Sequence, residues 1–549
     1  MVLLNQATSL LPKFLSVLRT LAKIHHLLPE SQALLHHITN RFQVLASIIG
    51  IFPCFFSSIP FLFQVQLAEQ YVRIPDVIMA SQGVVMTKDP VKLKAVSDLV
   101  SKLVEDVKTA TLLPEERTAA LDELKIHGRD PLNADPLFTK ESIHMLLKHG
   151  FHSPAPDTAR AALRVLANAM LLKPHTRNMF VDQGFAPIAC KELKGKSWED
   201  EFLMGRLIFL CTYGTAIDLE ELIDKHHLAD NVVDRLGQHA KLMTNKGKSP
   251  SDAMEEMALT ETLKLLFNVT HHCPERIGAF NPAIPHIINL LWKTDIAADQ
   301  PLGQPHGSLV NALLNLDLSP SKYKSTLFPK PINIKVVGRL IDILHASLAA
   351  YGENEVESII TPLVSLIRQV YEYAPEDVKL HMRARVLPSE QDRKDVLGRG
   401  TSPSAVLLKY STHAAAPALQ DMVSHLLFDM SNRDASKFVE NVGYGFASGF
   451  LFQQNISVPE SAMEAFSTGS NPAEQKPVNP ITGQFLDEEK YPDVPEWTEE
   501  EKEREAEKLF VLFERLKKNG VIQVENPIAQ AVREGRYREA KEDEVEEVD

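Results

Sequence analysis

Only 4 cysteines occur in the 549 residues. Cys54, Cys190, Cys211 and Cys273 lie far apart with no CxxC pair, which excludes a disulfide framework and a zinc ribbon and suits a reducing compartment. Basic charge is also short, with 58 Lys and Arg against 72 Asp and Glu and a formal net charge of −14. A nucleic-acid surface needs a surplus of cations on one face, so nucleic acid is excluded as the main partner. Alternating β-branched runs are nearly missing between residues 90 and 455, which argues against a large sheet.

Catalytic signatures are missing as well. Gly195-Lys196-Ser197 and Gly247-Lys248-Ser249 echo the end of a phosphate loop, but Cys190 and Leu242 stand where its first glycine must be. The glycines of Gly443 to Gly449 are misspaced for a dinucleotide fingerprint and have no flanking strand. Adjacent histidines such as His226-His227 and His271-His272 cannot aim at one metal from a regular helix. No H-E-x-x-H, G-x-S-x-G or paired-carboxylate pattern occurs. Covalent catalysis, a cofactor and a bound metal are therefore not expected.

What is there is helix after helix. Hydrophobic residues make up 44% of the chain, and from about residue 90 to 455 they recur at three- and four-residue spacing. A unit returns: an apolar helix ending in a small or amide residue, a polar turn, then another helix. Ala162 to Asn168, Arg206 to Leu210, Lys264 to Asn268, Ser308 to Asn315, Ile359 to Tyr371 and Met422 to Met430 occupy comparable places. Phe180-Val181-Asp182-Gln183-Gly184-Phe185, after the first of these, resembles the acidic-x-Gly turn of armadillo repeats. Intervals of roughly 40 to 60 residues predict an all-α armadillo- or HEAT-like solenoid over 88–455, its inner helices lining a concave groove.

Leucine stripes in such units are core. The amides differ, because Asn168, Asn268, Asn311 and Asn315 fall in or at the ends of apolar helices, where a buried carboxamide needs partners. Two readings stand side by side: ligation of a peptide in the groove, or an internal cap or inter-repeat hydrogen bond.

Outside the solenoid the chain changes character. Residues 1–87 form an apolar N-terminal segment. Its first 29 residues hold Lys13, Arg19 and Lys23 with no acid, as transit peptides do. Residues 43–68 are uncharged, but Pro53 and Pro60 interrupt them, so a buried insertion is expected over a membrane span. Residues 456–495 read as a flexible linker rich in Pro, Ser, Glu and Asn. Residues 496–523 read as a docking arm. There Thr498 and Glu501 form a capping box, Leu509, Phe513 and Leu516 make one apolar stripe, Phe510 and Leu512 widen it, and Asn519-Gly520 supplies the stop. Residues 524–549 form an acidic tail.

The order Asn479-Pro480-Ile481-Thr482-Gly483, acidic spacer, Trp497-Thr498-Glu499-Glu500-Glu501 and the arm helix, closing on Asn519 to Gln523, closely resembles the synembryn family, in its fungal type. Val442-Gly443-Tyr444-Gly445, Leu263-Lys264 with Phe267-Asn268-Val269-Thr270, and His306-Gly307 with Val310-Asn311 and Asn315-Leu316 extend the resemblance. It runs from about residue 88 to 523, and residues 1–70 have no counterpart in it.

The resemblance implies a cytoplasmic, monomeric guanine-nucleotide exchange factor and folding chaperone for heterotrimeric G-protein α subunits, reaching the plasma membrane only through them. It places the client's C-terminal helix in the groove, with Lys125 and Arg129 gripping carboxylates beside Arg206 and the four asparagines. The arm would reach the nucleotide-binding domain. The family's phosphorylation ahead of Asn-Pro-x-Thr-Gly points to Ser461 and Ser467, although neither has the expected acidic surroundings. An alternative is a peptide-carrying adaptor without exchange activity. Import-type grooves pair Trp with Asn, however, and Trp198, Trp292 and Trp497 are not on the Asn-bearing helices.

Overall fold

The computed structural model describes residues 89–195, 197–246, 252–319, 321–331, 333–457, 466–468 and 476–489. The N-terminal segment, Ser461, and the arm with Leu509, Phe510, Phe513 and Leu516 lie outside them. The chain divides into two compact units, Met1–Gln484 and Phe485–Asp549. Of the second, the described part is 485–489, with a single 3-10 turn at Leu486–Glu488.

Local rules set the helix starts. Asp89 accepts from the N–H groups of Val91 and Lys92, Ser197 from Asp200 and Asp434 from Lys437, each at 2.8 to 3.1 Å. Pro90, Pro114, Pro156, Pro403 and Pro417 open their helices, where a missing N–H costs nothing. Gly128 ends Pro114–His127 and could not carry a Cβ, which would fall 2.7 Å from Leu137 Cδ2.

The helices form the two-layered, armadillo- or HEAT-like stack that the repeats predict. Seven make one row, each packed on the next: Pro114–His127, Pro156–Leu172, Trp198–Cys211, Ala253–His272, His306–Leu314, Val356–Tyr373 and Pro417–Met430. Over this first row lies a second, which includes Lys140–His152, Ala186–Glu192, Leu228–Lys246, Ile284–Lys293, Lys335–Ala350 and Pro403–Tyr410. Leu166, Leu207, Leu263 and Leu309, from four consecutive first-row helices, are completely buried. Each such side chain contributes roughly 1.5–3 kcal/mol. A two-stranded sheet pairs Phe466–Thr468 antiparallel to Lys476–Val478, with Phe466 opposite Val478.

An ionic centre joins the rows. Glu201, Arg235 and His239 are each at most 1% exposed. The Glu201 carboxylate accepts from Arg235 Nε at 2.7 Å, Thr262 Oγ1 at 2.6 Å and His239 Nε2 at 3.0 Å. Trp198 stacks on His239 and lies under the Arg235 guanidinium, 4.8 Å from its ring centre. Burial pushes the Glu201 carboxyl up, but its bonds from His239 and Thr262 and the charges of His239 and Arg235 outweigh that and hold it below the usual range.

Within the stretch read as linker, residues 479–484 are strapped to the end of the stack. Asn479 Oδ1 accepts from the Ile481 N–H at 2.9 Å, and the Gly483 N–H returns to the Asn479 carbonyl at 2.8 Å, closing a tight turn. Arg393 Nη1 donates to the Gly483 carbonyl at 2.9 Å, while its Nη2 holds the carbonyls of Glu440 and Asn441. Leu397 N–H donates to the Thr482 carbonyl at 3.1 Å, and Gln484 Nε2 donates to the Lys394 carbonyl at 3.2 Å.

Candidate functional site

The candidate groove residues fall on successive first-row helices, which follows from their recurrence at one place in each repeat. Lys125 lies near the C-terminal end of Pro114–His127, half-buried, with Nζ 2.6 Å from Asp122 Oδ1. Arg129 follows that helix and is exposed. Asn168 lies on Pro156–Leu172 and Arg206 on Trp198–Cys211. Asn268 belongs to Ala253–His272, Asn311 to His306–Leu314, and Asn315 caps the latter.

The amides separate into two kinds. Asn268 is 3% exposed and its Nδ2 donates to Thr212 Oγ1 on the preceding helix's end at 2.8 Å. Asn315 Nδ2 donates to the Phe267 carbonyl at 3.1 Å. Both carboxamides therefore fasten one repeat to the one before it. Asn168 and Asn311 are half-buried and make no side-chain hydrogen bond among the described residues. Their carbonyl and NH₂ groups are the ones available to an incoming backbone.

Arg206 sits in a second kind of fastening. Its Nη1 is 3.1 Å from Glu261 Oε1, an oxygen it shares with Lys264 Nζ at 2.9 Å. Arg206 also lies over Phe202, 5.3 Å from the ring centre, and Lys264 over Phe209 at 5.7 Å. Two cations on one nearly buried carboxylate leave a surplus positive charge on this face. The aromatic rings hold both side chains flat against the row.

Sequence reasoning passed over a further set. Arg160, Arg164 and Asn168 are spaced by four and share one helix face. Arg160 forks onto Asp200, with Nε at 2.8 Å and Nη2 at 3.0 Å, and Arg164 pairs with Glu199. Farther along the row Arg368 Nε is 2.6 Å from Asp429. The available signal was the four-residue spacing of Arg160, Arg164 and Asn168, followed one repeat later by Glu199-Asp200-Glu201. Ser467 sits on the strand Phe466–Thr468, opposite Pro477.

A stack of paired helices, cross-linked by ion pairs and amides along one row and closed by a strap, defines a helical-repeat scaffold. Residues 120–536 match the family model described as guanine nucleotide exchange factor synembryn, and the chain belongs to that family. It is 29% identical over 325 residues to a synembryn-like chaperone of Schizosaccharomyces pombe, covering 55% of this chain and 60% of that protein. It is 25% identical over 462 residues to chaperone Ric-8A of Rattus norvegicus, covering 77% of this chain and 85% of that one. Against chaperone Ric-8A of Gallus gallus the identity is 26% over 473 residues, with 78% and 86% covered. The chain thus spans 60% of the length of the yeast relative. No described helix is long and apolar enough to cross a membrane.

Proposed function

We propose that this protein is a guanine-nucleotide exchange factor and folding chaperone for heterotrimeric G-protein α subunits. The carrying observation is the family match across residues 120–536, which takes in the first-row helices from Ala120 onward, the strap and the arm segment together. The relatives' names, a synembryn-like chaperone and chaperone Ric-8A, support the chaperone half.

The physical mechanism needs no reacting side chain. A surface that binds the nucleotide-free client more tightly than the loaded one must, by linkage, weaken nucleotide binding by the same factor. The same preference holds an unstable empty client in a native-like state and shifts its folding balance by mass action. The first-row face is the proposed groove. Asn168 and Asn311 offer paired donor and acceptor to a client helix end, while Lys125, Arg129, Arg206 and Lys264 offer cations to its carboxylates. Asn268 and Asn315, in this reading, set the spacing of the row from within.

Loss of fluorescent GDP from a purified Gα subunit, with and without the full chain, tests the proposal. Acceleration that saturates with concentration, together with a stable complex when GDP is removed, is the expected result. Neither acceleration nor complex at saturating concentration overturns it. A chain ending before Glu496 should keep its affinity for a Gα C-terminal peptide and lose most of the acceleration, which assigns the arm to the exchange step.

A further inference from the structure

A cavity of about 580 Å³ opens on the second row, where the end of Ala186–Glu192 meets the start of Leu228–Lys246. It lies on a different layer from the candidate groove, and the proposed function makes no use of it. Lys191, Lys194, Lys225, His226, His227 and Asn231 contribute to its lining. Three lysines face one wall acid, Glu192, within a chain whose net charge is −14. Lys191 and Lys194 are exposed and carry no salt bridge among the described residues, whereas Lys225 reaches Glu221 at 3.0 Å and His227 reaches Asp230 at 3.1 Å. The first N–H groups of the 19-residue helix Leu228–Lys246 begin at this wall, and such groups favour a negative ligand.

The floor adds a second kind of recognition. Asn231 is 1% exposed, and its Nδ2 is committed to the Cys190 carbonyl at 2.8 Å. Its Oδ1 is buried with no hydrogen-bond partner. An unpartnered buried acceptor in a cavity wall calls for a donor, and neither a phosphate dianion nor a bare carboxylate supplies one. The thiol of Cys190, which also meets the Asn231 side chain, donates to the His226 carbonyl at 3.2 Å. The ligand that meets both demands carries phosphate for the lysines and helix start, and a free hydroxyl for Asn231.

We propose that this cavity binds a phosphorylated polyol, its phosphates against Lys191, Lys194 and Lys225 and one hydroxyl donating to Asn231 Oδ1. Two sources share that chemistry: an inositol-lipid headgroup at a membrane surface and a soluble inositol phosphate.

The test uses the full chain and two probes. Inositol trisphosphate is titrated by calorimetry, and co-sedimentation is measured with phosphatidylcholine vesicles carrying phosphatidylinositol bisphosphate. Vesicles of equal surface charge made with phosphatidylserine control for simple attraction. Saturable binding of at least one inositol probe is expected. In K191Q/K194Q it should weaken by about ten-fold or more, while K102Q/K108Q, the same charge change on an exposed helix elsewhere, should leave it unchanged. Soluble binding without sedimentation assigns the free polyol phosphate; sedimentation that the soluble probe competes away assigns the lipid. Absence of binding to both probes, equal loss in both double variants, or equal sedimentation with phosphatidylserine overturns the proposal.

Discussion

The N–H of Tyr444 donates to the carbonyl of Pro480 at 2.7 Å, and this bond joins two sequence motifs that are 36 positions apart. Tyr444–Gln453 begins directly after Gly443, so its first N–H groups have no carbonyl within the helix. Pro480 and Ile481 supply them, the latter accepting from Gly445 at 3.2 Å. The glycines follow from that approach. Gly443 has φ +81°, and a Cβ there would stand 3.1 Å from the Ile481 carbonyl oxygen.

The strap should be sensitive at its own glycine. Gly483 has φ +70°, and a Cβ there would fall 2.3 Å from Leu397 Cδ1. Gly483→Ala is expected to cost about 1–3 kcal/mol, read as a lower urea midpoint for the first unfolding transition. Arg393→Met, which removes the donors to Gly483, Glu440 and Asn441, should lower the same transition. A midpoint unmoved in both variants would show that the strap adds nothing to stability.

Glu201→Gln should be among the most damaging single changes in the chain. It leaves Arg235, which is 1% exposed, without its counter-charge, at a cost of about 3–5 kcal/mol. The pH dependence has a definite sign. Because Glu201 is held below its ordinary value of 4.5, its contribution is complete above that pH and is lost as acid carries it through the lower folded value. Thermal melts from neutral pH down to the acid limit should show the wild-type advantage over the variant shrinking below pH 4.5.

His306 titrates in the other part of the acid range. Burial first, and then the nearby Arg339, push its imidazole from 6.5 down to about 4. The unfolded chain takes up that proton near pH 6.5 while the folded chain refuses it, so stability falls between pH 6.5 and about 4. The loss amounts to roughly 3 kcal/mol. His306→Gln should flatten this portion of the stability curve, and an unchanged slope in melts across that window would count against the assignment.

The four asparagines should respond differently to alanine. Asn168→Ala and Asn311→Ala are expected to weaken binding of a Gα C-terminal peptide by about 1–3 kcal/mol with little change in melting temperature. Asn268→Ala removes the donor to Thr212, so its main effect should be a loss of stability of about 1–2 kcal/mol. Calorimetric titration and thermal melts on the same preparations separate the two. Equal loss of affinity in all four would return the row to a single ligand-binding set.

The repeat architecture was legible because its signals are local. Apolar residues at helical spacing and the return of an amide at the end of successive helices lie within one or two turns of chain. The recurring place of Asn168, Arg206, Asn268 and Asn315 in the repeat put them on consecutive helices of one row, as their spacing implies.

Pairing across repeats was not legible. Asn268 with Thr212, Arg206 with Glu261, Glu201 with Arg235 and Arg393 with Gly483 are separated by 56, 55, 34 and 90 positions. The partner in each case depends on how far each helix is offset and rotated against the last. The amino-acid order determined by itself that residues 88–455 are a stack of amphipathic helices with closely packed glycines near its end, since periodicity and backbone freedom act over a few residues, whereas it read the Asn-Pro-x-Thr-Gly segment as part of a flexible linker. Only the tertiary structure decided which asparagines are fasteners and which are free, and that those glycines and that segment are one contact, because a hydrogen bond's worth depends on what the stacking leaves within 3 Å of it.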